Sequence, residues 1–153
     1  MNAYRVPKRE IWADAVVLGV GRTRLRLFVA QSALGHSGFE RPSDLVNGET
    51  IFIPVVDVAG VPAIVRRDML LAVSVAAEEE KLEDPAADST RLQVEITFEN
   101  GESVRGTLAF VQPEGRRRLG DYLNDCEAFF PVRDGATVHL VNKGRVVRVA
   151  VVR

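Results

Sequence analysis

The sequence is poor in the residues that most often carry chemistry. It holds one cysteine, two histidines and one tryptophan in 153 residues. A lone Cys126 excludes an internal disulfide and any cysteine-cluster zinc site. No histidine lies near it in sequence, so a buried or half-buried thiol is expected rather than a nucleophile. His36 and His139 are too few for a histidine metal site without carboxylate help, and nothing near either has ligand spacing. Both read as surface residues, and no metal or cofactor is expected. No Gly-rich loop follows a strand and opens a helix, so nucleotide hydrolysis is unsupported. Long apolar runs are missing too, which excludes a membrane-spanning helix by sequence. Residues 1–10 lack the apolar core of a signal peptide, and the cytoplasm is the expected location. Charge of one sign is also lacking. The net charge is −1, with residues 1–75 and 91–153 each near +2 and residues 76–90 near −5. Neither basic excess approaches the field of a protein that tracks phosphates.

What is present is an internal repeat. A step of 77 residues carries Arg41 to Arg118, Asp44 to Asp121 and Asn47 to Asn124. It carries Phe52 to Phe129, Pro54 to Pro131, Val55 to Val132 and Asp57 to Asp134. Further identities fall at Ala59, Val61 and Val75. That makes ten over residues 41–75, enough to read one small β-unit written twice. Units of this size are marginal alone, and packing one on the other would supply the missing core.

Alternation places strands at residues 11–18, 22–31, 50–56, 61–65 and 69–75 in the first unit. In the second they fall at residues 92–98, 104–111, 128–132, 137–141 and 146–152. Residues 42–46 read as one helical turn. Asn100-Gly101 is a strong hairpin signal, and Gly106 within a strand marks a bend or bulge. Residues 76–82 could form two helical turns. From Glu83 the acidic linker offers little to bury and should be solvated. The expected fold is all-β: two tandem small five-stranded barrels or bent sheets of SH3- or Sm-like kind, pseudo-twofold related. The domains run over residues 1–75 and 91–153, with 76–90 as the join.

The repeated polar residues have a local explanation. Asp44 and Asp121 can cap a turn through backbone N–H groups, and Arg41 and Arg118 can pair with them. Asn47 and Asn124 tolerate the left-handed conformation that ends a turn, and Leu123 can plug the end of the unit. These six polar residues are therefore read as a structural motif.

The run Arg118-Leu119-Gly120-Asp121-Tyr122-Leu123-Asn124, then Phe129 to Val132, then Leu140 to Val149, resembles a bacterial family of small all-β domains of unknown function. The resemblance covers nearly all of the second unit, including the hairpin with Gly106 and Leu108. The first unit departs from it, with Val46 for the Leu and Arg66-Arg67-Asp68 where Asn142-Lys143-Gly144 stands. The resemblance implies a fold and no activity, so it assigns no catalytic residues. A second pattern, Arg5 and Arg9 followed by Ser32-Ala33-Leu34-Gly35, partly resembles cyclic-dinucleotide receptors of the PilZ type. Ala30 stands where that pattern needs an acidic or amide residue.

Two basic clusters remain, Arg22/Arg24/Arg26 on one strand face and Arg116-Arg117 beside Arg118. They are candidate interaction surfaces, since arginine is favoured at contacts. Stacking aromatics are expected to be missing beside them, which weighs against RNA. The chain is therefore read as a non-enzymatic protein-interaction module, an adaptor or regulatory subunit in a bacterial assembly. Its expected partner is another protein, with a homo-oligomer open. The alternative is a small-ligand or RNA-binding regulator using the arginine clusters.

Overall fold

The computed structural model of the chain describes residues 8–31, 38–111 and 118–152. The protein is all-β. Strands β1 (Lys8–Val17), β2 (Gly21–Ala30), β3 (Phe52–Asp57), β4 (Pro62–Arg66) and β5 (Leu70–Ala76) lie in the first half. Strands β6 (Thr90–Phe98), β7 (Ser103–Phe110), β8 (Phe129–Asp134), β9 (Thr137–Asn142) and β10 (Val146–Val151) lie in the second. Short helices α1 (Pro42–Val46) and α3 (Leu119–Asp125) precede β3 and β8, and α2 (Ala77–Glu80) follows β5. Single 3-10 turns at Arg67–Met69 and Lys143–Arg145 lead into β5 and β10.

All ten strands form one antiparallel sheet, ordered β10-β6-β7-β8-β9-β5-β1-β2-β3-β4. Each half therefore sets its strands in the same lateral order, fifth, first, second, third, fourth. The 77-residue step holds for α1 to α3 and for β3 to β8. It becomes 76 from Arg67–Met69 to Lys143–Arg145 and from Leu70 to Val146, because three residues separate the paired Asp57 and Val61 and only two separate the paired Asp134 and Thr137.

The halves meet through β5 and β9, with Ala72, Val73, Ser74 and Val75 opposite Val141, Leu140, His139 and Val138. Unlike strands pair here, the fifth of one half with the fourth of the other. A twofold relation would pair like with like, so the expected pseudo-twofold is not the relation that this ladder makes. Nor does the acidic join hold the halves apart, because they hydrogen-bond edge to edge.

β5 reads Leu-Leu-Ala-Val-Ser-Val-Ala and is buried on both faces, as an interior strand of near-continuous apolar residues should be. Leu70, Val73 and Val75 enter one core with Phe129, Val138 and Leu140 of the second half. Leu71 and Ala72 enter the other with Val141, Phe130 and Leu108. Each fully buried aliphatic side chain contributes about 1.5–3 kcal/mol. A one-residue slip of the ladder would turn Val73 and Val75 away from their core. The hydrophobic pattern thus fixes how the halves are joined.

α2 is a single turn, shorter than the two turns expected, and Lys81 ends it with φ of 52°. Its last residue, Glu80, is buried and accepts a hydrogen bond from the Ser43 N–H at 2.9 Å, anchoring α1. Burial pushes the Glu80 carboxyl up from its ordinary value, more than the Ser43 bond draws it down. The folded protein therefore holds this proton more tightly than the unfolded chain. Stability drops as pH rises through the window from the unfolded value to the raised folded one, and the charged form is a burden at neutral pH. Glu80→Gln keeps an acceptor for Ser43 and removes the charge. Its melting temperature is expected to exceed the parent's at pH 7. The difference should vanish at about pH 3, where the acid is protonated in both states. Melts followed by circular dichroism at the two pH values check this.

Candidate functional site

The repeated motif does different work in the two halves. In the first, Arg41 precedes α1, and its backbone N–H donates to Asp44 Oδ2 at 2.9 Å. Its guanidinium lies 3.4 Å from the same carboxylate, and this hydrogen bond holds the Arg41 charge more firmly, raising its pKa. Asn47 does not take the left-handed conformation expected of it, since its φ is −90°. Its side chain instead crosses to the other half. Asn47 Nδ2 donates to Phe129 O at 3.0 Å, and the Phe129 N–H donates to Asn47 Oδ1 at 2.8 Å. One amide thus closes both polar groups of a backbone position in β8.

In the second half no hydrogen bond or ion pair joins Arg118 to Asp121 among the described residues, and α3 starts without a side-chain cap. Asn124 is exposed, while Leu123 is half-buried against the second core. Tyr122 stacks on Phe110 at 5.0 Å and meets Phe130 edge-on, and burial pushes its hydroxyl up to about 12. Cys126 is half-buried, with its thiol donating to Leu123 O at 3.4 Å. Burial raises its pKa despite the favourable charge of Lys143, which disfavours a reactive thiolate.

The arginine stripe is largely neutralised. Arg22 pairs with Glu102 at 2.8 Å, Arg24 with Asp14 at 3.2 Å and Arg26 with Glu10 at 3.2 Å. The expectation that no aromatic lies beside this stripe is overturned, because pairing of β1 with β2 brings Trp12 opposite Arg26. The guanidiniums of Arg24 and Arg26 lie 5.1 and 5.4 Å from the half-exposed Trp12 ring. Arg116 and Arg117 lie outside the described residues, as do Arg5, residues 32–35 and His36. Arg9, the described member of the dinucleotide-receptor pattern, pairs with Glu79 at 2.5 Å and covers Phe39.

His139 is not the plain surface residue expected. It is half-buried at the junction, its Nδ1 2.6 Å from Ser74 Oγ and its Nε2 3.5 Å from Asp134 Oδ2. Ser74 stands directly opposite it in the ladder, so their bond is a cross-strand link between the halves. Two further junction residues were marked in the sequence only as part of the run from Leu140 to Val149. Asn142 is buried, donating to Leu70 O at 2.9 Å and accepting from the Gly144 N–H at 3.1 Å. Arg145 donates to Asp68 O at 2.8 Å and pairs with Glu99 at 2.9 Å.

Two grooves lie in the second half. One of about 400 Å³ runs between the join and β6–β8, with Glu83 and Asp84 facing Arg91 and Arg133. The other, about 250 Å³, is lined by Leu123, Asn124, Phe130, Lys143, Val146 and Val149. Among the described residues no group of three or more His, Cys, Asp or Glu could hold a metal ion. No described helix is long and apolar enough to cross a membrane.

The exposed large apolar residues concentrate at the far edge of the first half. Ile51, Phe52, Val58, Val61 and Ile64 are between 54 and 69% exposed, and all lie on or beside β3 and β4. In comparisons with known proteins, the chain matches no family model, no curated protein and no solved structure.

Proposed function

We propose that the chain is a tandem pair of small five-stranded SH3- or Sm-like units, akin to the bacterial small all-β domains, and works as a protein-interaction module. In this reading residues 1–75 and 91–153 are the units and 76–90 joins them. The protein is an adaptor or regulatory subunit and performs no catalysis. The observation that carries the reading is the apolar edge at β3–β4. Large apolar side chains left exposed along one sheet edge favour a contact site, whereas Arg22, Arg24 and Arg26 each pair with a carboxylate.

A photo-crosslinking side chain at Val58 in cells of the native host tests this. The expected result is a discrete protein adduct that is missing when the probe stands at the exposed Glu78. Equal labelling at both positions would refute an interaction surface at β3–β4.

One observation favours a second reading, an RNA-binding regulator. Trp12 between Arg24 and Arg26 resembles a stacking platform for an unpaired base. Trp12 is the sole tryptophan, so its fluorescence reports directly on that face. Titration with single-stranded RNA is expected to leave it unquenched at about 200 mM salt. Quenching that weakens steeply with salt, and is lost in Arg24→Ala with Arg26→Ala, would favour the RNA reading over the adaptor.

A further inference from the structure

We infer that this chain assembles head to tail with further copies of itself, β4 of one copy pairing with β10 of the next and Phe52 seating in the groove beside Asn124. The inference rests on the interaction-module reading and names its partner.

The internal junction is the template. β9 and β5 are the fourth strand of one half and the fifth of the other, and they pair. The remaining fourth and fifth strands, β4 and β10, are the two open edges of the sheet. Steps of 77 and 76 residues translate one junction into the other. Phe129, Val138 and Leu140, which the first half covers, correspond to Phe52, Pro62 and Ile64. The covered three are at most 3% exposed, whereas Phe52 is 55% and Ile64 69% exposed. The difference is what a missing neighbour leaves behind.

The receiving side corresponds as well. Phe129 packs into the core built by Val46, Leu70 and Val73, while Asn47 holds its backbone. The equivalents are Leu123, Val146, Val149 and Asn124. Those four residues line one groove of about 250 Å³, room for the phenyl group of Phe52. Asn124 is then placed to close the N–H and C=O of Phe52 in the next copy, as Asn47 does for Phe129.

Backbone direction agrees. The Asp57 N–H donates to Val61 O, so Pro62 and Ile64 turn their polar groups away from β3. The Val152 N–H donates to Gln93 O, so Val147, Val149 and Val151 turn theirs away from β6. Transferring the register of β5–β9 puts Ile64 opposite Val149 and Pro62 opposite Val151. Pro62 has no N–H, so this ladder is one bond shorter at that end. Because the two surfaces differ, the contact is heterologous. It generates a closed ring or an open filament, not a twofold dimer.

The test uses the purified full chain and two single-edge variants at exposed positions. One is Ile64→Lys, which blocks β4. The other is Val147→Lys with Val151→Lys, which blocks β10. Light scattering is expected to give a multiple of the single-chain mass for the parent and a monomer for each variant. Mixing the two variants should then produce a 1:1 dimer, since one native edge of each kind remains. Phe52→Ala is expected to weaken association by roughly 30-fold, as for a buried aromatic anchor. Asn124→Ala should weaken it roughly tenfold, with the melting of the monomer unchanged. A monomeric parent, an oligomer that survives either block, or blocked variants that fail to combine would each overturn the inference. A monomer that still gives a protein adduct at position 58 refutes self-assembly and leaves the module reading standing. A monomer without an adduct refutes both.

Discussion

Gly106→Ala is expected to destabilise the protein by about 3 kcal/mol. Gly106 lies where β7 crosses β8, beside the sole registered pair of those strands, Thr107 with Arg133. A methyl group there would stand 2.5 Å from Arg133 O, 2.8 Å from Val132 Cγ1 and 3.0 Å from Arg133 C. Two of those atoms are backbone in a strand held on both sides, so little can yield. Relief requires β8 to move, and β8 carries Phe130 and Val132 into the second core. Urea unfolding should show a lower midpoint with an unchanged slope. Gly120→Ala is the control. Nothing lies within 4 Å of a methyl group there, the position is inside α3, and alanine is the better helix former. A gain of up to about 1 kcal/mol is expected. Equal losses at both glycines would remove the close-approach explanation.

Asn47→Ala is expected to cost about 2–3 kcal/mol, because it strands the N–H and the C=O of Phe129 in a region with little access to water. Asn47→Asp separates the two bonds. The carboxylate can still accept from the Phe129 N–H, but it places an acceptor against Phe129 O where a donor stood. It should be no more stable than the alanine variant at pH 7 and should recover partly in acid, once protonated. Chemical denaturation of the three proteins at two pH values checks both points. An alanine variant as stable as the parent would mean that the amide only decorates the junction.

Much of this architecture was legible without coordinates. Alternation and short apolar runs marked the ten strands, as in β6, where Val94, Ile96 and Phe98 are buried and the residues between them are not. The helical turn at Pro42–Val46 was legible because proline fixes its start. Gly106 stood out as a glycine within a strand, but the ladder of β6 and β7 runs through it without a register shift, and its use is the close approach of β8 rather than a bulge. The repeat was visible, but not its one-residue offset, since Ala59, Val61 and Val75 find chance identities at the longer step.

The roles of the motif residues were only half legible. Local capping accounted for Asp44 and for Arg41. It could not account for Asn47, whose partner is 82 residues away. Trp12 was invisible as a neighbour of Arg24 and Arg26, because strand pairing brings them together and sequence spacing does not.

Periodicity and turn residues are properties of neighbouring positions, and they were enough to dictate an all-β chain of ten short strands. Which edges meet is set by contacts between strands far apart in sequence, and only the folded molecule decided it. It joined a fifth strand to a fourth, burying the apolar residues of β5 and β9 in both cores, and so left one edge of each kind open.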